Sequence, residues 1–227
     1  MIEFVFLDLD DTILDFGTTE RKCIARLLEQ LHIPPTDEII HRYHTINLEH
    51  WKRLERGEIT REQISNRFDV LFQELGVNIS TPECEKIYRQ YLSESDDVMP
   101  GAPETLARLR KKYRLFAASN SSAKTQYGRL ERTGLTRYFE KIFLSEELGI
   151  NKPDPLFFQR AFSKIPDFDH DKAIMVGDSL TSDIRGGINA GIQTCWVITG
   201  RVPRQSDIRA DHEITSITQL PFLLESL

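Results

Sequence analysis

Ile2-Glu3-Phe4-Val5-Phe6-Leu7-Asp8-Leu9-Asp10-Asp11-Thr12 is the stretch on which the fold turns. An apolar run ends abruptly in carboxylates. Such a run, continuous rather than alternating, has the character of a strand buried on both faces of a parallel sheet. Asp8 and Asp10 then stand at the strand's carboxyl end, the edge at which open α/β sheets bind ligands. Two acids spaced Asp-x-Asp beside a buried strand repel each other and resist losing water. A hard cation between them removes both costs, and Mg²⁺ prefers oxygen ligands of this kind. An acidic turn that only caps the strand is the competing reading, since aspartates are ordinary turn residues.

The rest of the composition narrows the field. A chain of 227 residues suffices for one large domain or a core plus a smaller unit. A net charge of −6 argues against a nucleic-acid polymer or an anionic membrane as partner. Cys23, Cys84 and Cys195 are odd in number and share no metal or redox spacing, as expected of reduced thiols. Asp8 interrupts the N-terminal apolar run, and no segment has the length of a bilayer span. The expectation is a cytoplasmic protein that could bind a small anion only through local cations, with no obligate protein partner evident.

After Thr12 the hydrophobic rhythm turns helical. Ile24, Leu27, Leu28 and Leu31 share a face, and Pro34-Pro35 ends that helix. Thr36-Asp37 caps a second helix carrying Ile39, Ile40, Tyr43, Ile46, Trp51 and Leu54, broken at Gly57. Thr60-Arg61-Glu62-Gln63 has capping-box form and opens a third, closed by Gly76. Thr81-Pro82 begins a fourth, through Cys84, Ile87, Tyr88 and Tyr91. From Met99 onward, helices alternate with the buried strands Leu115–Ala118, Ile142–Leu144, Ala173–Val176 and Cys195–Ile198. That alternation predicts an α/β fold, a Rossmann-like parallel sheet with helices on both faces and an all-helical cap inserted after the first strand. The expected division is a core of residues 1–16 and 97–227 and a cap of residues 17–96. Placed beside the sheet's carboxyl edge, the cap is expected to act as a lid hinged at the two crossings.

Three further polar groups fall at the same edge. Ser119-Asn120 follows a strand and offers a hydroxyl and consecutive N–H groups, a phosphate cradle if it is not simply a helix cap. Lys152, ahead of Pro153, is either a solvated loop lysine or a point charge for phosphate. Asp178 and Asp183, after Gly177, read singly as a turn and a cap. Beside Asp8 and Asp10 they complete a nest of four carboxylates that calls for a cation.

Taken together, acids, hydroxyl, lysine and acids in this order resemble the haloacid dehalogenase superfamily in its phosphatase branch, across the whole chain. Asp8, Asp10 and Thr12 match the first motif, with Asp11 as spacer because only Asp8 directly follows the apolar run. Ser119 matches the second, Lys152 the third, and Gly177-Asp178 with Asp183 the fourth. The chain departs from the pattern at Ser121, where many members carry glycine. The resemblance implies that Asp8 is a nucleophile forming an aspartyl-phosphate and that Asp10 is the acid and base. It implies Mg²⁺ held by Asp8, the Asp10 carbonyl and Asp178, with Asp183 supporting or ligating. It implies phosphate held by Ser119, the Asn120 N–H and Lys152, and a loop ordered by Thr12 with Asp10 in hydrogen-bonding reach.

The substrate must be read from the cap and the loop before it. Tyr43-His44-Thr45-Ile46-Asn47, Trp51 and Glu55-Arg56-Gly57, together with Asp15-Phe16, are similar to the noncanonical pyrimidine 5′-nucleotidases of the superfamily. That similarity implies nucleoside 5′-monophosphates, pyrimidine preferred, as substrates. A base offers a flat apolar face and hydrogen-bonding edges, which Phe16, Asn47 and Trp51, with Tyr43 and His50, are suited to meet. Tyr43 and Trp51 taken singly read as cap core, and Trp196 as sheet core; His170 and His212 read as surface residues. The alternatives are a phosphatase for phosphoglycolate or a sugar phosphate, a related phosphomutase, and a noncatalytic binding protein. The last would have no chemical use for four costly carboxylates.

Overall fold

The computed structural model describes residues 1–200 and 207–227. The chain folds into two compact units, Met1–Phe16 with Asp96–Leu227, and Gly17–Ser95.

The first unit is built on a sheet of strands β1 (Phe4–Leu7), β2 (Arg114–Ser119), β3 (Lys141–Leu144), β4 (Ala173–Gly177), β5 (Gln193–Val197) and β6 (His212–Ile214). Among the described residues the strand order is β3-β2-β1-β4-β5-β6, with every neighbouring pair parallel. The chain therefore moves outward from β1 in one direction, through β2 to β3, and then in the other, through β4 to β6. The reversal places a crevice at the carboxyl ends of β1 and β4. Asp8 extends β1 into that crevice, its N–H donating to the Val176 carbonyl (2.9 Å).

The second unit, Gly17–Ser95, is helical. Its helices are α1 (Phe16–Gln30, which starts in the first unit), α2 (Asp37–Glu55), α3 (Asn66–Leu75) and α4 (Thr81–Ser93). Thr36 caps α2 by accepting from the Ile39 N–H, and Gly76 closes α3 with φ +68°. The Gln63 side chain accepts from the Thr60 N–H (2.8 Å), half of the expected capping box. A 3-10 turn, Glu62–Ser65, intervenes before α3 begins. Tyr43, Phe68 and Tyr88 pack ring against ring at the centre of this unit. Arg67, buried beside them, donates to the Tyr43 hydroxyl (2.9 Å) and pairs with Glu85 (2.7 Å).

Back in the first unit come α5 (Ala102–Leu109), α6 (Ala123–Arg132), α7 (Ser145–Leu148), α8 (Pro155–Phe162), α9 (Arg185–Ala190) and α10 (Leu220–Glu225). Alternate strand residues feed two cores. Val5, Leu7, Leu115, Ala117, Ile174 and Val176 pack with residues of α5, α6 and α10. Phe4, Phe6, Phe116, Ala118 and Met175 pack with Phe157, Phe158 and Phe162 of α8. Two buried cores, one per face, account for the unbroken apolar strands.

Several features depart from expectation. His212–Ile214 forms an edge strand where only a tail was expected. His212 is half-buried there rather than on the surface. His170 is exposed but packs edge-on to Phe162 and Phe168. The helix expected from about Ser182 starts as a wide turn, Leu180–Ile184, before α9. No described helix is long and apolar enough to cross a membrane.

Candidate active site

The crevice at β1 and β4 is lined by four aspartates, a lysine and, less expectedly, an arginine and a glutamine. The turn after β1 is wound tightly. The N–H groups of Ile13 and Leu14 both point to the Leu9 carbonyl (2.9 and 2.7 Å), and the Asp11 N–H reaches the Leu14 carbonyl (2.7 Å). Asp11 takes a left-handed conformation, φ +56°, which aspartate tolerates better than most residues. The Thr12 hydroxyl does not bond Asp10. It is buried and has no hydrogen-bond partner, so that expectation fails.

Lys152 is the hub. It is 1% exposed. Its ammonium donates to Asp8 Oδ1 (2.7 Å), Asp183 Oδ1 (2.6 Å) and the Ala118 carbonyl (2.5 Å). Three acceptors match the three donors an ammonium has. The Lys152–Pro153 peptide is cis. Asn120 holds the lysine's backbone from both sides, its amide donating to the Lys152 carbonyl and accepting from the Lys152 N–H (both 2.8 Å). The Asn120 side chain thus braces the lysine loop.

Asp183 sits against the end of β4. Its Oδ2 accepts from the Ser179 N–H (3.0 Å), and a Cβ at Gly177 would lie 2.2 Å from that same oxygen. Only glycine leaves room for this carboxylate. Ser119, at the end of β2, accepts from the Ser121 N–H (3.2 Å) and from Gln126 Nε2 (3.1 Å). With both lone pairs engaged, its hydroxyl proton is free to point at an anion. Ser121 therefore contributes through its N–H.

Asp8, Asp178 and Asp183 each present a carboxylate oxygen, and these oxygens lie within 4.8 Å of one another. Burial pushes the Asp8 carboxyl well above the usual aspartate range, and Asp183 and Asp10 add to the effect against Lys152. Asp178 is raised for the same leading reason, with Asp183, Asp8 and Asp11 adding. Burial works against the Lys152 ammonium, but Asp183 and Asp8 outweigh it and hold the lysine above its ordinary value. Counting Asp8, Asp10, Asp178 and Asp183 against Lys152 and Arg129 leaves two negative charges. A hard divalent cation fits that donor set and that balance.

Arg129 and Gln126 were not anticipated. Both are buried, on one face of α6. Arg129 Nη1 forms an ion pair with Asp10 Oδ1, and Gln126 Nε2 donates to Asp10 Oδ2 (2.6 Å). The signal available in the sequence was their spacing. They lie one and four residues before Leu130, on or beside the face that it anchors.

Of the specificity candidates, Phe16 lies by the Arg129 guanidinium, 5.8 Å from its ring centroid. Asn47 and Trp51 belong to the helical unit. Asn47 is buried and donates to Glu20 (2.6 Å), whose other oxygen meets His44 Nδ1 (2.5 Å). Trp51 packs on Leu54, Ile59 and Ile64. Tyr43 is fully buried, and His50 is buried with Nδ1 at the Ile46 carbonyl (2.8 Å), so both are core rather than free to meet a base.

Residues 2–191 match the model of the haloacid dehalogenase-like hydrolases. The chain belongs to this family. Within it, the chain is 36% identical to the putative HAD-hydrolase YfnB of Bacillus subtilis, over 97% of this chain and 94% of that one. A crystal structure of YfnB bound to magnesium superposes with a TM-score of 0.94 at 35% identity, covering 98% of both chains. The pyrimidine 5′-nucleotidases PynA of Streptococcus pneumoniae and YjjG of Escherichia coli are 34% and 30% identical. They are matched over 96% and 98% of this chain, and over 93% and 97% of their own. The Rossmann-like fold read from the strands and the family resemblance carried by the motifs are thereby confirmed, and the chain is a phosphoric monoester hydrolase of this family.

Proposed function

We propose that the chain is a Mg²⁺-dependent 5′-nucleotidase that hydrolyses nucleoside 5′-monophosphates, pyrimidine preferred, through an aspartyl-phosphate on Asp8. The observation that carries the chemistry is Asp8 itself: a buried carboxylate at the mouth of a parallel sheet, beside Lys152 and two further acids. The base preference rests on PynA and YjjG, both pyrimidine 5′-nucleotidases similar along their whole length.

Asp8, Asp178, Asp183 and the Asp10 carbonyl are the groups that would hold Mg²⁺. Bound there, the ion would neutralise carboxylates and phosphate dianion alike and so would let an anion approach an anion. Asp8 attacks phosphorus, and the ester oxygen departs with the bonding pair and takes a proton from Asp10. Asp10 then removes a proton from water, whose oxygen displaces Asp8 and releases phosphate. Ser119 donates its free hydroxyl proton to a phosphoryl oxygen, with the Asn120 N–H alongside. A phosphoryl oxygen at Asp8 competes for the donor that Lys152 gives to that carboxylate.

A phosphate-release screen with Mg²⁺ across nucleoside monophosphates, sugar phosphates and phosphoglycolate tests the reading. Uridine and thymidine 5′-monophosphates are expected to lead by kcat/KM, and chelation to silence the enzyme. Preference for a sugar phosphate or phosphoglycolate, or activity that persists in metal-free buffer, contradicts it.

A further inference from the structure

We propose that Arg129 and Gln126 form a positioning clamp that aims the Asp10 carboxyl at the leaving oxygen and then at water, and that Gln126 ties this aim to the phosphate-binding hydroxyl of Ser119. The proposal rests on the phosphatase reading above and adds two positioning residues to it.

The geometry is specific. Asp10 sits on a tight turn, and its side chain is more open to solvent than that of Asp8, 28% against 10%. A carboxyl that open, on a single-bonded stem, samples several rotamers unless something holds it. Two donors from one helix do so, one per oxygen: Arg129 on Oδ1 and Gln126 on Oδ2. Gripping both oxygens fixes the carboxyl plane as well as its position. Each oxygen keeps a second lone-pair direction for the proton it must pass.

Both donors are themselves buried. Arg129 and Gln126 are 1% and 0% exposed. Gln126 Nε2 also reaches Ser119 Oγ (3.1 Å), so one amide spans the acid/base and the phosphate hydroxyl. Its Oε1 is buried without a partner. Burying an amide oxygen unsatisfied costs stability, so a residue kept only for packing would be better served by methionine. The amide therefore has a use besides filling space, and its N–H₂ group supplies it.

Proton transfer matters unequally for different esters. An alkoxide is strongly basic and must be protonated as it leaves, whereas p-nitrophenolate leaves readily without help. Misaiming Asp10 therefore slows formation of the aspartyl-phosphate from an alkyl ester more than from an aryl ester. kcat/KM isolates this step, since it runs only to departure of the leaving group. Hydrolysis of the aspartyl-phosphate, common to both esters, slows alike.

The test compares Arg129→Met, Arg129→Lys and Gln126→Met on p-nitrophenyl phosphate and on the best alkyl ester of the screen. Arg129→Met is expected to lower kcat/KM for the alkyl ester about 10- to 100-fold more than for the aryl ester. Arg129→Lys should recover part of the difference. Gln126→Met should show the same asymmetry and, through Ser119, weaken inhibition by inorganic phosphate. Acid quenching of Arg129→Met during aryl ester turnover should trap more phosphoenzyme than in the wild type. Equal losses on the two esters in folded variants overturn the clamp while leaving the phosphatase reading intact. Should Arg129→Met fail to fold, Arg129→Lys and Gln126→Met decide by the same comparison. A wild type inert on every ester overturns both the phosphatase reading and the clamp.

Discussion

The buried acids of the crevice are held where carboxylates ionise reluctantly, and pH reads that out. Burial raises the Asp8 and Asp178 carboxyls, with neighbouring acids adding. In the metal-free protein these groups bind protons more readily folded than unfolded. Their stabilising effect is complete below the ordinary aspartate value of about 3.9 and is lost as pH rises through the raised values. Lys152, raised in its turn, contributes evenly across this range because it is protonated in both states below about pH 10. Surface carboxylates held low by arginine or lysine, such as Glu58, Glu140 and Glu225, act in the opposite sense. The gain in Tm on adding Mg²⁺ cancels them and isolates the site. That gain is expected to grow from about pH 5 to about pH 8, since the ion must displace protons at the lower pH. Asp178→Asn should lose most of the gain. A Mg²⁺ effect that is flat or falls with pH would contradict the assignment of these carboxylates. At this scale Asp8, Asp178, Asp183 and Lys152 were legible because each follows a buried strand or a short loop. Arg129 and Gln126 were not, because both lie within a helix, where spacing marks them only as on or beside its apolar face and says nothing of the acceptor they meet.

Elements carry the site by bringing strand ends close enough for side chains to share protons. The end of β4 shows how tight this is. Gly177 leaves no space for a methyl group, because Asp183 Oδ2 would stand 2.2 Å from it. Gly177→Ala should displace Asp183 from Lys152, costing about 1–3 kcal/mol of stability and most of the phosphatase activity. Gly191, at the end of α9 with φ +70° and open space around it, is the control. Gly191→Ala should cost about 1 kcal/mol from its backbone alone and leave turnover in place. Thermal melts and phosphate release measure both; equal activity in the two variants would contradict the account. The buried strands β1, β2 and β4 were plain in the sequence because short, unbroken apolar runs bounded by turn residues suit a sheet covered on both faces. β6 was not: His212-Glu213-Ile214 has one buried apolar residue and is placed by pairing with β5. The wide turn Leu180–Ile184 was hidden for a similar reason, since Ser179 and Asp183 shape it through hydrogen bonds that periodicity does not report.

At the scale of the whole molecule, the chain divides between two compact units. The residues proposed for phosphoryl transfer all lie in the unit of Met1–Phe16 and Asp96–Leu227. The helical unit is held by its own buried groups, Tyr43 among aromatic rings and Arg67 on Glu85. Periodicity exposed the helices of that unit readily. It said little about which of their polar residues are committed internally, as Asn47 is to Glu20. The proposed role of Asp8 as carrier of the phosphoryl group is open to direct chemical trapping. Enzyme turning over its best substrate with Mg²⁺ is quenched in acid, reduced with borohydride and mapped by mass spectrometry. Reduction of an aspartyl-phosphate leaves homoserine. Homoserine is expected at position 8 and nowhere else, and none in Asp8→Asn, whose turnover should fall by at least about 10⁴-fold. Homoserine at another aspartate, or appreciable turnover by Asp8→Asn, would contradict it.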